Sequence, residues 1–95
     1  MAKAFAVQPT VSAADATLKS KAGYIHWITI SNTHATEAAE VELADGATDR
    51  WAAVVEAIDF KLLPFHANFD PPIRCDTSII IDITNGTVKA VVGWS

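Results

Sequence analysis

The dipeptide Asn85-Gly86 stands between two apolar, β-branched runs, Ile79 to Thr84 and Thr87 to Trp94. Both residues tolerate the positive φ that a type I′ turn needs, so the stretch reads as a β-hairpin. That turn sets a register in which Ile83 faces Val88, Asp82 faces Lys89, Ile81 faces Ala90 and Ile80 faces Val91. Side chains alternate faces along a strand. One face of the expected hairpin therefore carries Ile79, Ile81, Ile83, Val88, Ala90, Val92 and Trp94, and belongs to a core. The other carries an opposite-charge Asp82–Lys89 pair, which favours this register, and an apolar spot made of Ile80 and Val91. That spot reads in two ways: as surface partly covered by a loop, or as a subunit contact.

Period-two patterning recurs upstream. Gly23 opens a strand over Tyr24 to Ser31, with Ile28 and Ile30 expected inward and Trp27 on the outer face, where a large ring wants cover. Ala39, Val41 and Leu43 alternate with Glu40 and Glu42, and Asp45-Gly46 closes that strand with turn chemistry. Residues 49 to 62 are ambiguous. Trp51, Val54, Val55, Ile58 and Leu62 fit a helical stripe that Thr48 can cap, whereas Trp51, Ala53 and Val55 fit a strand. The β context favours a strand over Arg50 to Ala57. Phe60 to Leu63 reads as a short edge strand before Pro64, and Asp70-Pro71-Pro72 as a stiff extended connection. Residues 1 to 20 are small and polar after a brief apolar start and read as an N-terminal arm, although Thr17 and Leu18 can begin an edge strand. The expectation is an all-β fold: one small antiparallel β-sandwich over residues 21 to 95, jelly-roll or Ig-like, with six to eight strands.

The remaining residues exclude more than they suggest. A net charge of -4 with no basic cluster argues against a nucleic-acid or anionic-membrane surface. The start, Met1 to Val7, is too short for a signal peptide or a membrane helix, so the expected compartment is cytoplasmic until assembly. A lone cysteine, Cys75, allows no internal disulfide and reads as a buried small hydrophobe rather than a nucleophile. His26, His34 and His66 lie in different segments without metal-ligand spacing. Asp45, Asp49, Asp70 and Asp76 sit at turns, where carboxylates usually bond nearby backbone, and calcium-type spacing is absent. Trp27, Trp51 and Trp94 read as core or interface residues, with a sugar-stacking platform as the alternative. No catalytic residue, cofactor or metal site is expected.

In order, the chain runs Gly23 to Thr33 (Gly-Tyr-Ile-His-Trp-Ile-Thr-Ile-Ser-Asn-Thr), Val41 to Gly46 (Val-Glu-Leu-Ala-Asp-Gly), Asp49-Arg50-Trp51-Ala52, Phe69 to Cys75 (Phe-Asp-Pro-Pro-Ile-Arg-Cys) and a closing Val-Lys-Ala-Val-Val-Gly-Trp. This resembles the small β-sandwich proteins encoded among the structural genes of tailed bacteriophages, the virion structural, decoration or cement proteins, and covers residues 23 to 95. The resemblance implies a non-enzymatic protein of the virion, assembled in the host cytoplasm. Such a protein stabilises the head by binding between subunits of the major capsid protein, often as a homotrimer. It implies no nucleic-acid or membrane partner and no cofactor. Trp27, Ile80 and Val91, with Phe5 and Val7 of the arm, are the candidate contacts. A tail-associated or carbohydrate-binding β-sandwich module is the alternative.

Overall fold

The computed structural model describes residues 7–57 and 64–95. They contain eight strands and no helix: β1 (Gln8–Ser12), β2 (Ala16–Lys19), β3 (Gly23–Asn32), β4 (Ala39–Asp45), β5 (Thr48–Val55), β6 (Phe65–Cys75), β7 (Ile79–Thr84) and β8 (Val88–Trp94). They form two four-stranded antiparallel sheets in the orders β1-β8-β3-β6 and β2-β7-β4-β5. The expected all-β sandwich is therefore the fold. Pairing β1 with β8, β2 with β7, β3 with β6 and β4 with β5 makes the chain one long ribbon, folded back on itself at Gly46–Ala47 and wound into two layers. That strand order is the jelly roll.

The ribbon overturns the expected hairpin. Asn85 and Gly86 do adopt positive φ, 64° and 71°. Yet β7 and β8 separate into opposite sheets, so the turn is an arch across the sandwich. The Asp82–Lys89 pair does not form: Asp82 lies opposite Glu42 on β4, and Lys89 opposite Ser31 on β3. The reason is competition for ladder hydrogen bonds. β7 is paired on both sides by β2 and β4, and β8 by β1 and β3, so neither has an edge left for the other. The two-residue hairpin is instead at Gly46–Ala47, where Asp45 pairs with Thr48 and Gly46 has φ 59°. Positive φ at the first loop position only is the pattern of a II′ turn.

Residues 8 to 19 are likewise not an arm. They supply β1 and β2, one edge strand to each sheet. Their small β-compatible residues gain ladder partners from β8 and β7 that composition does not reveal. Phe5, and the strand expected over Phe60 to Leu63, lie outside the described residues. Residues 48 to 55 are a strand rather than a helix, with Trp51, Ala53 and Val55 turned inward.

Period-two burial fills the space between the layers. Val41, Leu43, Ile79, Ile81, Ala90 and Val92 are completely shielded from solvent, with Ile25, Ile28 and Ile30 from β3. Each fully buried aliphatic side chain of this size contributes about 1.5–3 kcal/mol. Plain alternation sets Ile25 on the side opposite Ile28. A bulge on β3, where Ile25 pairs with Trp94 but Trp27 with Gly93, inserts one residue and brings both inward.

Candidate functional site: the two outer faces and the ends of the sandwich

The jelly roll leaves two outer faces of different chemistry. On the β1-β8-β3-β6 sheet, one cross-strand row reads Pro9, Gly93, Trp27 and Asn68, and the next Val11, Val91, Thr29 and His66. Val11 is 61% exposed. Trp27 is half-buried because its indole lies against Gly93; a Cβ built there would stand 2.3 Å from the ring. Next to it, His66 shares hydrogen bonds with Thr29 (2.6 Å) and Asn68 (3.1 Å), and its ring lies 6.3 Å from that of Trp27. A groove of about 450 Å³, lined by Ala13, Thr29, Thr87, Lys89 and Val91 among others, runs along the same face.

The opposite face is acidic. Glu40 and Glu42 on β4, Asp49 on β5 and Asp82 on β7 all project from it. The carboxylates of Glu42, Asp49 and Asp82 come within 4.8 Å of one another. Repulsion from Asp49, then partial desolvation, then Glu40 and Asp82, push the Glu42 carboxyl above its ordinary pKa. Three oxygens of this kind suit a hard divalent cation that keeps its water, but exposed acid clusters of this size are common without one. Sequence reasoning missed the cluster because three different strands build it.

The candidate contacts are thus divided. Trp27 and Val91 share the neutral face. Ile80, opposite Ala44 and Thr17, lies on the acidic one, so the single Ile80–Val91 spot does not exist. Val7 is exposed just before β1. The three tryptophans form no common platform. Trp51 packs at 5.9 Å and 5.6 Å from Phe65 and Phe69, and Trp94 donates to the Thr10 hydroxyl at 2.8 Å with Lys19 over its ring.

Two buried polar residues, Asp45, read from sequence as a turn aspartate, and Asn32, tie the ends of the sandwich. At one end the Asp45 carboxylate accepts backbone N–H bonds from Asp76 and Thr77, both 2.8 Å, and Ser78, 3.3 Å, and a bond from Arg50 at 3.3 Å. Those donors, the Asp76 N–H first, hold its pKa down at about 2. The local bonding expected of a turn aspartate is replaced by a long-range one. At the other end Asn32 donates to the carbonyls of Glu37 and Val55 and accepts from the N–H groups of His34 and Thr87, all within 3.1 Å.

Among the described residues, the groups that acid–base or nucleophilic chemistry would need do not converge. His26 bonds Ser95, His34 caps the 34–37 turn and His66 sits on the neutral face. Cys75 is completely buried, as expected, and desolvation pushes its thiol pKa up, away from the reactive thiolate. Comparison with known families, curated proteins and solved structures finds no significant match.

Proposed function

We propose that this protein is a non-enzymatic structural component of a phage-type virion, a decoration protein that stabilises a protein shell by binding the assembled major capsid protein. The observation that carries this reading is the unlike chemistry of the two outer faces. A neutral face with Trp27, Val91 and exposed Val11 suits docking on another protein, where aromatic anchors are enriched and charges depleted. An acidic face turned to solvent keeps the particle soluble. The jelly roll hosts both shell-forming and sugar-binding domains, so the fold does not choose between them. The dispersed tryptophans favour the first. Ligation to assembled shells alone stabilises them by mass action, and many copies on a lattice add by avidity.

The test is co-sedimentation with empty capsids assembled from the cognate major capsid protein, against the free capsid subunit. The reading expects pelleting with capsids only. A Trp27→Ala/Val91→Asp variant abolishes it, while Glu40→Gln leaves it unchanged. Equal binding to free subunits, or none to capsids, sinks the proposal; a tryptophan emission shift on a glycan panel would turn the neutral face into a sugar site.

A further inference from the structure

Four strands form the sheet edges: β1 and β6 in one layer, β2 and β5 in the other. An edge offers a row of unpaired N–H and C=O groups, and proteins blunt it with proline, charge or irregularity. β1 carries Pro9, β6 carries Pro71 and Pro72, and β2 is four residues long with an irregular register ending on Lys19. β5 is different. Past its bulge at Arg50, Trp51-Ala52-Ala53-Val54-Val55 is a regular apolar run, paired to β4 on one side and to no strand on the other among the described residues. Val54 is 65% exposed on this edge, the highest value among the exposed large hydrophobic residues.

We infer that β5 is a self-association edge: two copies of this chain pair antiparallel through Trp51–Val55 about a two-fold axis at Ala53. The two β2-β7-β4-β5 sheets then become one sheet of eight strands. Pairing across a two-fold axis is self-complementary, so each contact occurs twice. Side-chain parity allows only registers that set inward residues opposite inward ones. Among these, the axis at Ala53 places Ala52 opposite Val54, Trp51 opposite Val55, and Arg50 opposite Glu56 of the other copy. Arg50 and Glu56 are both exposed, so the apolar run is closed at each end by an opposite-charge pair. Arg50 spends one of its five N–H donors on Asp45 and keeps others free. Moving the axis to Ala52 sets Arg50 against Val54; moving it to Val54 sets Glu56 against Ala52. The acidic faces tolerate the pairing. Asp49, the acid on β5 itself, falls outside the paired run, next to Arg50, and Glu40 and Glu42 of one copy are separated from those of the other by three strand spacings, roughly 14 Å, beyond a Debye length of about 8 Å at physiological salt.

This inference uses the sheet opposite the one assigned to shell binding, and it yields an even-numbered assembly where the phage resemblance implies a trimer. The two readings therefore fail separately. Sedimentation velocity of the full chain from micromolar to hundreds of micromolar is expected to show a dimer of the 10.2 kDa chain. Val54→Lys, an outward change at the edge, is expected to weaken it on the order of tenfold or more while leaving the far-UV spectrum and capsid binding per subunit intact. Ala53→Cys is expected to give a disulfide-linked dimer under oxidation, since opposed Cα atoms in an antiparallel pair lie within disulfide reach; buried Cys75 stays out of it. A wild-type monomer across the range, or an oligomer that Val54→Lys leaves intact, overturns the inference. Dissociation by Val54→Lys without the Ala53→Cys cross-link overturns the two-fold register.

Discussion

Asp45 accepts three backbone N–H groups from the segment that links β6 to β7, more than 30 residues away. Asparagine keeps one carbonyl oxygen of the two carboxylate oxygens and loses the charge that the donors favour. Asp45→Asn is expected to lower the melting temperature by several degrees near pH 7. The sign of the pH dependence follows from the depressed pKa. The folded-state value is about 2 against an ordinary 3.8. The stabilisation is therefore complete above the unfolded value and is lost as pH falls through the folded one. Thermal melts should show the gap between wild type and variant closing between about pH 4 and about pH 2; a gap that stays constant across that window refutes the role given to the carboxylate. Asn32 does the neutral equivalent at the other end. No residue spacing announces either one, because the partners that tie the ends together, Asp76 to Ser78 for Asp45 and Val55 and Thr87 for Asn32, are remote in the chain and only the fold brings them together. What the sequence did reveal at this scale was local: the inward choice of Ile28, Ile30, Val41, Leu43, Ile79, Ile81, Ala90 and Val92 depends only on which side of a strand is dry.

The strand pair β7–β8 marks the limit of that legibility. Alternation identifies the buried face of each strand correctly, since Ile81 and Ala90 are both fully enclosed. It does not name the neighbour. Two strands meeting across a core and two lying side by side present the same pattern, and Asn85-Gly86, with its positive φ values, serves an arch as readily as a hairpin. Direct coupling between Asp82 and Lys89 tells the two apart. A double-mutant cycle of Asp82→Ala and Lys89→Ala, read by urea unfolding, is expected to give no interaction beyond about 0.3–0.5 kcal/mol. A hairpin would give a favourable term of up to about 1 kcal/mol. β5 was harder still: its alanines and helical stripe match a helix locally, and only the bridges from Ala39–Asp45 to Thr48–Val55 override that preference.

At the scale of the whole molecule, two layers with unlike exteriors give the chain a direction: a neutral side, which the proposed function uses for docking, an acidic side, and at β5 an apolar edge that no other described strand covers. The same winding sets a kinetic expectation. Among the described strands only β4 and β5 pair as chain neighbours; every other ladder joins residues far apart, ending with Gln8 opposite Trp94. Refolding is expected on the order of milliseconds to seconds, as for other topologies dominated by non-local pairing. Stopped-flow tryptophan fluorescence measures it, and a relaxation complete within microseconds contradicts the topology.

On a ribosome the winding has a further cost. Among the described strands β1's only neighbour is β8, which is translated after all the others, so β1 must idle, bare, until β8 emerges. Until β8 emerges the nascent chain is an open ribbon, zipped outward from the Gly46–Ala47 bend and sealed when β8 reaches β1.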